Sequence, residues 1–299
     1  MRHSEKDRRI AILLISPTLI AMMIFIYGFI GFTGYASLSN WNALKIDLSF
    51  VGLDNYITLF KNQRFLIGMR NTLTFTVLFL ISSILLGFFL AVLLDQNIKG
   101  EKIFRNIYLF PMALSYIVTG VVWRWLLSPG TQITGPLGVN MLFDILGVGF
   151  LKSGWFTDPK IGIKAVVIAA TWQTAGYIMA LYLAGIRAIP IELREAARVD
   201  GASELQVYLR IIVPLLSPIT LSAVIILGHI SLKIFDLVWS MTGPGTGFST
   251  DVPALFMFDT TFRGNRFAQG SSIAMVLLTL VAVLVVPYLI MSNRREVQR

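Results

Sequence analysis

Side chains able to do covalent chemistry are scarce in this sequence. It has two histidines, His3 and His229, and no cysteine, which leaves no thiol nucleophile, no disulfide framework and no histidine cluster for a metal. No Gly-Lys dipeptide occurs, so the phosphate-cradling loop G-x-x-x-x-G-K-S/T of ATP-driven motors is missing. Two other groups stand out. The first is polar and aromatic amid aliphatic neighbours: Trp172, Gln173 and Tyr177, and further on His229, Ser231 and Lys233. Their amide, hydroxyl, imidazole and ammonium groups could exchange hydrogen bonds within an otherwise aliphatic setting, and the aromatic rings offer faces for stacking. Polar residues in apolar helices also serve helix–helix contacts, so packing is the alternative for each of them. The second group lies between Arg187 and Arg210 and contains Glu195-Ala196-Ala197 and Asp200-Gly201-Ala202, small and turn-forming residues suited to docking.

Composition dictates the elements that must position these groups. The 299 residues are 56% hydrophobic and only 14% charged, with a mean hydropathy of +0.74, too apolar for a water-soluble globule. Crossing about 30 Å of hydrocarbon takes about 20 helical residues, and the stretches 10–32, 71–94, 106–123, 165–186, 211–232 and 267–291 qualify, none with a Lys, Arg, Asp or Glu. Within lipid such segments are helices, because only a helix satisfies its own backbone hydrogen bonds. The expectation is an all-α polytopic membrane protein, one transmembrane domain over 1–299 with six spans. Arg8 and Arg9 precede the first stretch as in a secretory signal, but its length exceeds the usual signal core and no small-residue cleavage pattern is evident, so it is read as a retained span.

Charge placement orients the spans. Segments 1–9, 95–105, 187–210 and 292–299 hold four, three, four and three of the 25 Lys and Arg. The rest are spread over the much longer 33–70, 124–164 and 233–266. By the positive-inside rule the dense segments, both termini included, are cytoplasmic. The formal net charge of +9 is thus scattered through short loops with no basic stripe, which removes support for a nucleic-acid partner. Trp123, Trp125, Trp155 and Trp239 sit near the opposite boundary, where an aromatic belt belongs. The apolar stretch 137–151 contains Asp144 and is too short to cross, so it reads as a packed or interfacial helix.

The segment 187–210 carries helix punctuation throughout. Pro190 suits a first helical turn, with Glu192 and Glu195 near the positive end of the dipole. Gly201 is a left-handed stop, Ser203 and Gln206 make a capping box, and Pro214 and Pro218 reset the chain at the membrane. The result is a helix–turn–helix outside the bilayer, either a docking knob or an ordinary connector.

The spacing here resembles a known pattern. Glu195-Ala196-Ala197, three residues, Gly201, nine residues, then Ile211 and Pro214 is similar to the EAA signature of ATP-binding-cassette importer permeases, with Val213 where that pattern has leucine. Asp200-Gly201-Ala202, Ile189-Pro190, residues 51–56, Phe104-Arg105, Pro111 and residues 241–245 resemble the carbohydrate-uptake, maltose-type branch, with phrasing closest to glucose/mannose-type permeases. The resemblance implies a type I importer permease fold and a permease subunit forming half of the pathway of an ATP-driven, binding-protein-dependent sugar importer, not an enzyme. It implies as partners a second homologous permease, two cytoplasmic ATPase subunits, an extracytoplasmic sugar-binding protein and membrane lipid. ATP and Mg would be bound by the ATPases, leaving no cofactor in this chain, and the location would be the cytoplasmic (inner) membrane of a bacterium or archaeon.

It further implies that Glu195, Ala196, Ala197, Asp200, Gly201 and Ala202 couple to an ATPase cleft. Sugar contacts are implied just before the turn at Thr242, at His229, Ser231 and Lys233, with Gln173 and Tyr177 as candidates for the facing wall. Helical spacing would put His229 and Lys233 on one face and let Lys233 pair with Asp236. Hexose and short oligosaccharide both stay open. Two other classes are weighed on the residues: an ion-coupled secondary transporter calls for intramembrane charge pairs or inverted repeats, and a membrane-embedded enzyme for converging acid, base or nucleophile. The spans show neither.

The lack of cysteine makes the chain a ready background for labelling. Single cysteines at Asn55, Asp158 and Gly247 are expected to react with a membrane-impermeant thiol reagent in intact cells and one at Ser203 to stay protected; the reverse pattern would invert the topology.

Overall fold

The computed structural model describes residues 5–96 and 98–297; Met1, His3 and Arg299 lie outside the described residues, so the assignment of the termini to one side stays with the charge count. Among the described residues the backbone is helical, with no strand beyond isolated bridges at Ser39–Phe50 and Thr131–Gly135. α1 (Glu5–Met22) continues through a π turn, Met23–Gly28, into Phe29–Ser37. After α2 (Asp54–Lys61) come α3 (Gln63–Asp95), α4 (Glu101–Leu109) with a 3-10 turn at Phe110–Ala113, and α5 (Tyr116–Leu126). The short α6 (Gly138–Ile145) precedes α7 (Gly162–Ala188), α8 (Ile191–Val199) and α9 (Glu204–Val207), which passes through a π turn, Tyr208–Ile212, to Val213–Leu215. α10 (Ser217–Leu232), α11 (Asp236–Met241), α12 (Pro253–Phe258) and α13 (Phe267–Val297) follow.

Four of these runs are long and apolar enough to cross a membrane, and the number rises to six when each of two bent pairs counts as one span. The third span corrects the sequence reading of an unbroken 106–123. Its limbs, Glu101–Ala113 and Tyr116–Leu126, meet at 100°. Pro111 has no N–H to give the helix, the backbone tightens into the 3-10 turn, and Leu114 swings to extended geometry (ψ 146). Ser115 then caps α5 by accepting the Val118 N–H at 3.3 Å. A second bend, of 65°, separates Glu204–Leu215 from Ser217–Leu232, with Pro218 in the first turn of α10 where no N–H is needed.

By its contacts the chain forms two compact units, Met1–Asn62 with Met257–Leu278, and Gln63–Phe256 with Thr279–Arg299. In the first unit Asn55 organises the loop after α1. Its amide nitrogen donates to the Ser37 and Ser39 carbonyls (3.0 and 2.8 Å) and its oxygen accepts from the Asn42 amide (3.1 Å). Asn55 is therefore buried, and Asp54 beside it is the exposed position for labelling. Trp41 stacks on Phe267 with centroids 4.7 Å apart, and its carbonyl accepts the Ala268 N–H at 2.7 Å.

In the second unit α7 is the central helix, with 72% of its apolar window buried. Phe75 and Phe79 of α3 pack with Ile178, Met179 and Ile186 of α7 in one core. Hydroxyl pairs lace the helices together: Ser82 with Thr171 (2.7 Å), Ser83 with Thr174 (3.2 Å), Thr76 with Ser231 (2.9 Å) and Tyr182 with Thr220 (2.9 Å). Such bonds suit a medium in which apolar surface alone does not select a partner. At the Gln63 end of α3 the Arg64 guanidinium pairs with Asp251, whose side chain is 0% exposed, and lies between the Phe248 and Phe256 rings at 5.0 and 4.9 Å. That pairing neutralises a charge which would be costly to bury alone.

Close approach governs where α4 meets α7. A Cβ on Gly176 would stand 1.9 Å from the Tyr108 carbonyl oxygen, whereas one on Gly31 of α1 would meet nothing within 4 Å. Gly176→Ala is therefore expected to lower the yield of monodisperse protein in detergent sharply, and Gly31→Ala to leave it unchanged; equal yields would show that α4 does not rest on this contact.

Candidate functional site

The segment 187–210 folds as two short helices joined by a tight turn. Pro190 stands one place earlier than its expected position in the first turn, as the N-cap of α8 with extended backbone (ψ 133). α8 ends where the Ala202 N–H donates to the Ala197 carbonyl (2.9 Å) and the Gly201 N–H to the Arg198 carbonyl (3.0 Å), with Gly201 at φ +83. This paired closure needs a left-handed residue, which is why glycine sits there. Ser203 and Gln206 form the reciprocal box that starts α9, with bonds of 2.8 and 3.4 Å. Arg198 crosses the turn to grip both oxygens of Glu204 at 2.6 and 3.1 Å. Those hydrogen bonds hold the Glu204 carboxyl below its ordinary pKa and the Arg198 guanidinium above.

A contact that sequence reasoning missed fixes this element to the spans. Asp95, the last residue of α3, has a side chain only 8% exposed and takes the Arg194 guanidinium at 2.8 Å. The same carboxylate oxygen accepts the Tyr208 hydroxyl at 2.9 Å, and Gln96 donates to that hydroxyl at 3.3 Å. Arg194 also donates to the Ile186 carbonyl near the end of α7, at 2.9 Å. One carboxylate thus gathers α3, α7, α8 and the start of the turn after α9. Tyr208 lies on the loop side of Arg210, and its hydroxyl is pushed up to about 12 by burial and then by the hydrogen bond to Asp95 and that carboxylate's charge, so it stays a donor. Nearby, Arg187 pairs with Glu101 of α4 at 2.9 Å. Asp95 and Arg194 stand ninety-nine positions apart in sequence, and the one available signal was a carboxylate ending an otherwise uncharged run.

The side chains sort by direction. Glu195, Ala196, Asp200 and Gly201 are exposed, with Val199 and Leu205 beside them as exposed apolar residues. Ala197 and Ala202 turn inward and pack against the core.

The mid-span candidates are more dispersed. Gln173 is buried, and its Nε2 donates to the Leu114 carbonyl at 2.7 Å, the acceptor released by the break in the third span. Its Oε1 is buried with no hydrogen-bond partner among the described residues. Tyr177 is half-buried against the core. Ser231 is fully buried, donating to the Gly228 carbonyl (2.8 Å) and accepting from Thr76. His229 is half-buried and Lys233 exposed. The expected helical pairing of Lys233 with Asp236 does not form: α10 ends at Leu232, Lys233 is its C-cap, and Asp236 opens α11. His229 and Lys233, four residues apart, do stay within electrostatic reach of each other.

The sequence pattern of the family described as "binding-protein-dependent transport system inner membrane component" matches residues 83–293. The chain belongs to this family. The permease is 44% identical over 296 residues, 99% of each chain, to a probable ABC transporter permease protein of Pyrococcus horikoshii. It is 35% identical over 274 residues, 90% of this chain and 84% of the other, to a xylose/arabinose import permease protein of Haloferax volcanii. Its fold matches a chain of a bacterial alginate ABC transporter in complex with an alginate pentasaccharide-bound periplasmic protein, with a TM-score of 0.81, 24% identity, and 97% of this chain and 96% of that one covered. The permease is thus an inner-membrane component of an ABC importer that works with a binding protein, a transport subunit and not an enzyme. The secondary-transporter and membrane-enzyme alternatives fall with that membership.

Leaving a buried ion without its partner costs about 3–5 kcal/mol. Asp95→Leu is expected to destabilise the permease strongly, and adding Arg194→Leu to recover most of the loss, as read by thermal unfolding of the purified protein. Additive losses in the double variant would show that the two charges act independently.

Proposed function

We propose that the permease forms half of the translocation pathway of a sugar importer driven by cytoplasmic ATPases. Membership of the family over residues 83–293 carries this reading, and the relative named for xylose and arabinose supports the sugar. A second homologous permease completes the pathway as a heterodimer. Two ATP-binding-cassette subunits bind ATP and Mg, and an extracytoplasmic binding protein delivers the sugar. Segment 187–210 and both termini face the cytoplasm.

In this reading Glu195, Ala196, Asp200 and Gly201 enter a cleft of one ATPase, and the inward Ala197 and Ala202 seat the two short helices on the span ends. ATPase closure moves α8 and α9 together, because Arg198 and Glu204 bridge them. Asp95 then passes the displacement to α3 and α7, a rigid-body switch between facing in and facing out. The sugar meets Gln173 and Tyr177 on one face of α7 at i, i+4. The unpaired Oε1 of Gln173 is an acceptor that a sugar hydroxyl beside the Leu114 break can serve, since a buried acceptor is costly until paired. His229 and Lys233 contribute from the far end of α10, and Ser231 through the hydroxyl pair it makes with Thr76.

Gly201→Asp and Glu195→Lys are expected to leave the permease inserted while weakening ATPase association and transport; normal sugar-stimulated ATP hydrolysis in both would remove the docking role. Gln173→Leu and Tyr177→Phe are expected to raise the half-saturating sugar concentration for uptake about tenfold, the worth of one hydrogen bond of about 1.4 kcal/mol, with assembly and basal ATP hydrolysis kept. Unchanged half-saturation for every sugar tested would return these side chains to packing.

A further inference from the structure

We propose that the permease has a second sugar-binding site, a polar cavity in its first compact unit, separate in residues from the group on α7 and α10. The cavity measures about 270 Å³ and is lined by Asn40, Asn42, Asp54, Thr58, Arg266 and Gln269, with Asn55 in its wall. The assignment rests on the sugar-importer reading.

The wall is built before any ligand arrives. Asn55 has its amide committed to the Ser37 and Ser39 carbonyls, and Asn42 bridges Asn55 (3.1 Å) and the Gln269 backbone N–H (3.0 Å). Against this framework Gln269 is anomalous. The residue is 6% exposed and lines the cavity, and its carboxamide makes no hydrogen bond among the described residues. The amide offers one acceptor and two donors that the fold leaves unused. Nor do the Thr58 hydroxyl, the Asp54 carboxylate and the Arg266 guanidinium have side-chain partners among the described residues.

The chemistry of this lining selects its ligand. One cation and one anion cancel, and the remaining polar groups are neutral amides and a hydroxyl. A small anion would meet Asp54 and a small cation Arg266, while a neutral polyhydroxylated ring can give hydroxyls to both. A carboxylate or guanidinium takes two adjacent hydroxyls at once, and the amides suit hydroxyls that both donate and accept. A hollow of about 530 Å³ that also reaches Asn40 and Asn42 adjoins the cavity, leaving room for a second ring. The charge count places residues 33–70 on the extracytoplasmic side, where sugar arrives, so the cavity would hold sugar before it enters the spans.

The test uses the importer complex purified with its co-expressed subunits in nanodiscs, without binding protein, and saturation-transfer difference NMR with D-glucose, D-xylose, maltose and trehalose as probes. At least one probe should show transfer that persists in Gln173→Leu and falls at least threefold in Gln269→Leu and in Arg266→Met. The Arg266 and Thr58 side chains are exposed and make no hydrogen bond among the described residues, so Arg266→Met and Thr58→Val decide the matter if Gln269→Leu assembles poorly. Transfer unchanged in the cavity variants, or absent from the wild-type complex, overturns the site. So does loss of binding-protein-stimulated ATP hydrolysis with sugar transfer intact, which would make the cavity a docking contact. Uptake of the same sugars by the complete importer judges the importer reading separately: sugar uptake with unchanged transfer in the variants sinks the cavity alone, and no uptake of any sugar sinks the importer reading.

Discussion

Asp95 closes a helix of 33 residues and receives on one oxygen both the Arg194 guanidinium and the Tyr208 hydroxyl. A carboxylate at that depth is tolerated only when answered from within the protein, and here the answer comes from the loop helices, which also rest on the core through Ala197, Ala202 and Val207. Arg194 spends its second arm on the Ile186 carbonyl, an acceptor in the last turn of α7 that also takes the Ile189 N–H at 3.3 Å. The orientation of α8, the seating of Ala197 and Ala202, and the outward presentation of Glu195 all follow from this one satisfied charge. The loop reads as a rigid fixture of the span ends for that reason, in spite of its length and exposure.

How much of this was visible beforehand depends on whether the cause is local. The spans were legible because the absence of charge over about 20 residues has one structural solution in lipid. The turn at Gly201 and the box at Ser203 and Gln206 were legible because each is closed by residues within a few positions. The break in the third span was signalled by Pro111 and Ser115, but an apolar run long enough to cross outweighed those signals. The end of α10 after Leu232 carries no glycine or proline to mark it, so the pairing drawn between Lys233 and Asp236 had nothing to contradict it. Asp95 with Arg194, and Arg64 with Asp251, join positions far apart in the chain and could not be read from spacing.

Polar residues within the spans divide along the same line. Ser82, Ser83, Thr171 and Thr174 pair with one another across α3 and α7, which is the packing alternative realised. Gln173 lies among them on α7 and departs from the pattern, since one end of its amide is fixed to a carbonyl freed by a helix break and the other end is left over. Gln269 in the other unit differs in degree: its backbone N–H is fixed to Asn42 and its whole carboxamide is unspent. A glutamine in a hydrophobic chain is informative in this structure when only part of its hydrogen-bonding capacity is used.

α3 contains no proline and no break across Gln63–Asp95. At 1.5 Å per residue it is about 50 Å long, well beyond the about 30 Å of hydrocarbon it crosses. One end is gripped by Asp95, and near the other Arg64 is wedged between two aromatic rings beside Asp251. A stiff rod longer than the layer in which it pivots is a lever of the first kind. Turned by about 5° around its midpoint, each arm of about 25 Å sweeps its tip by about 2 Å, in opposite senses. Under the proposed coupling, a push on the loop at one tip would reach the Phe248 and Phe256 cradle at the other as an opposed stroke of equal size, without deforming the helix between them.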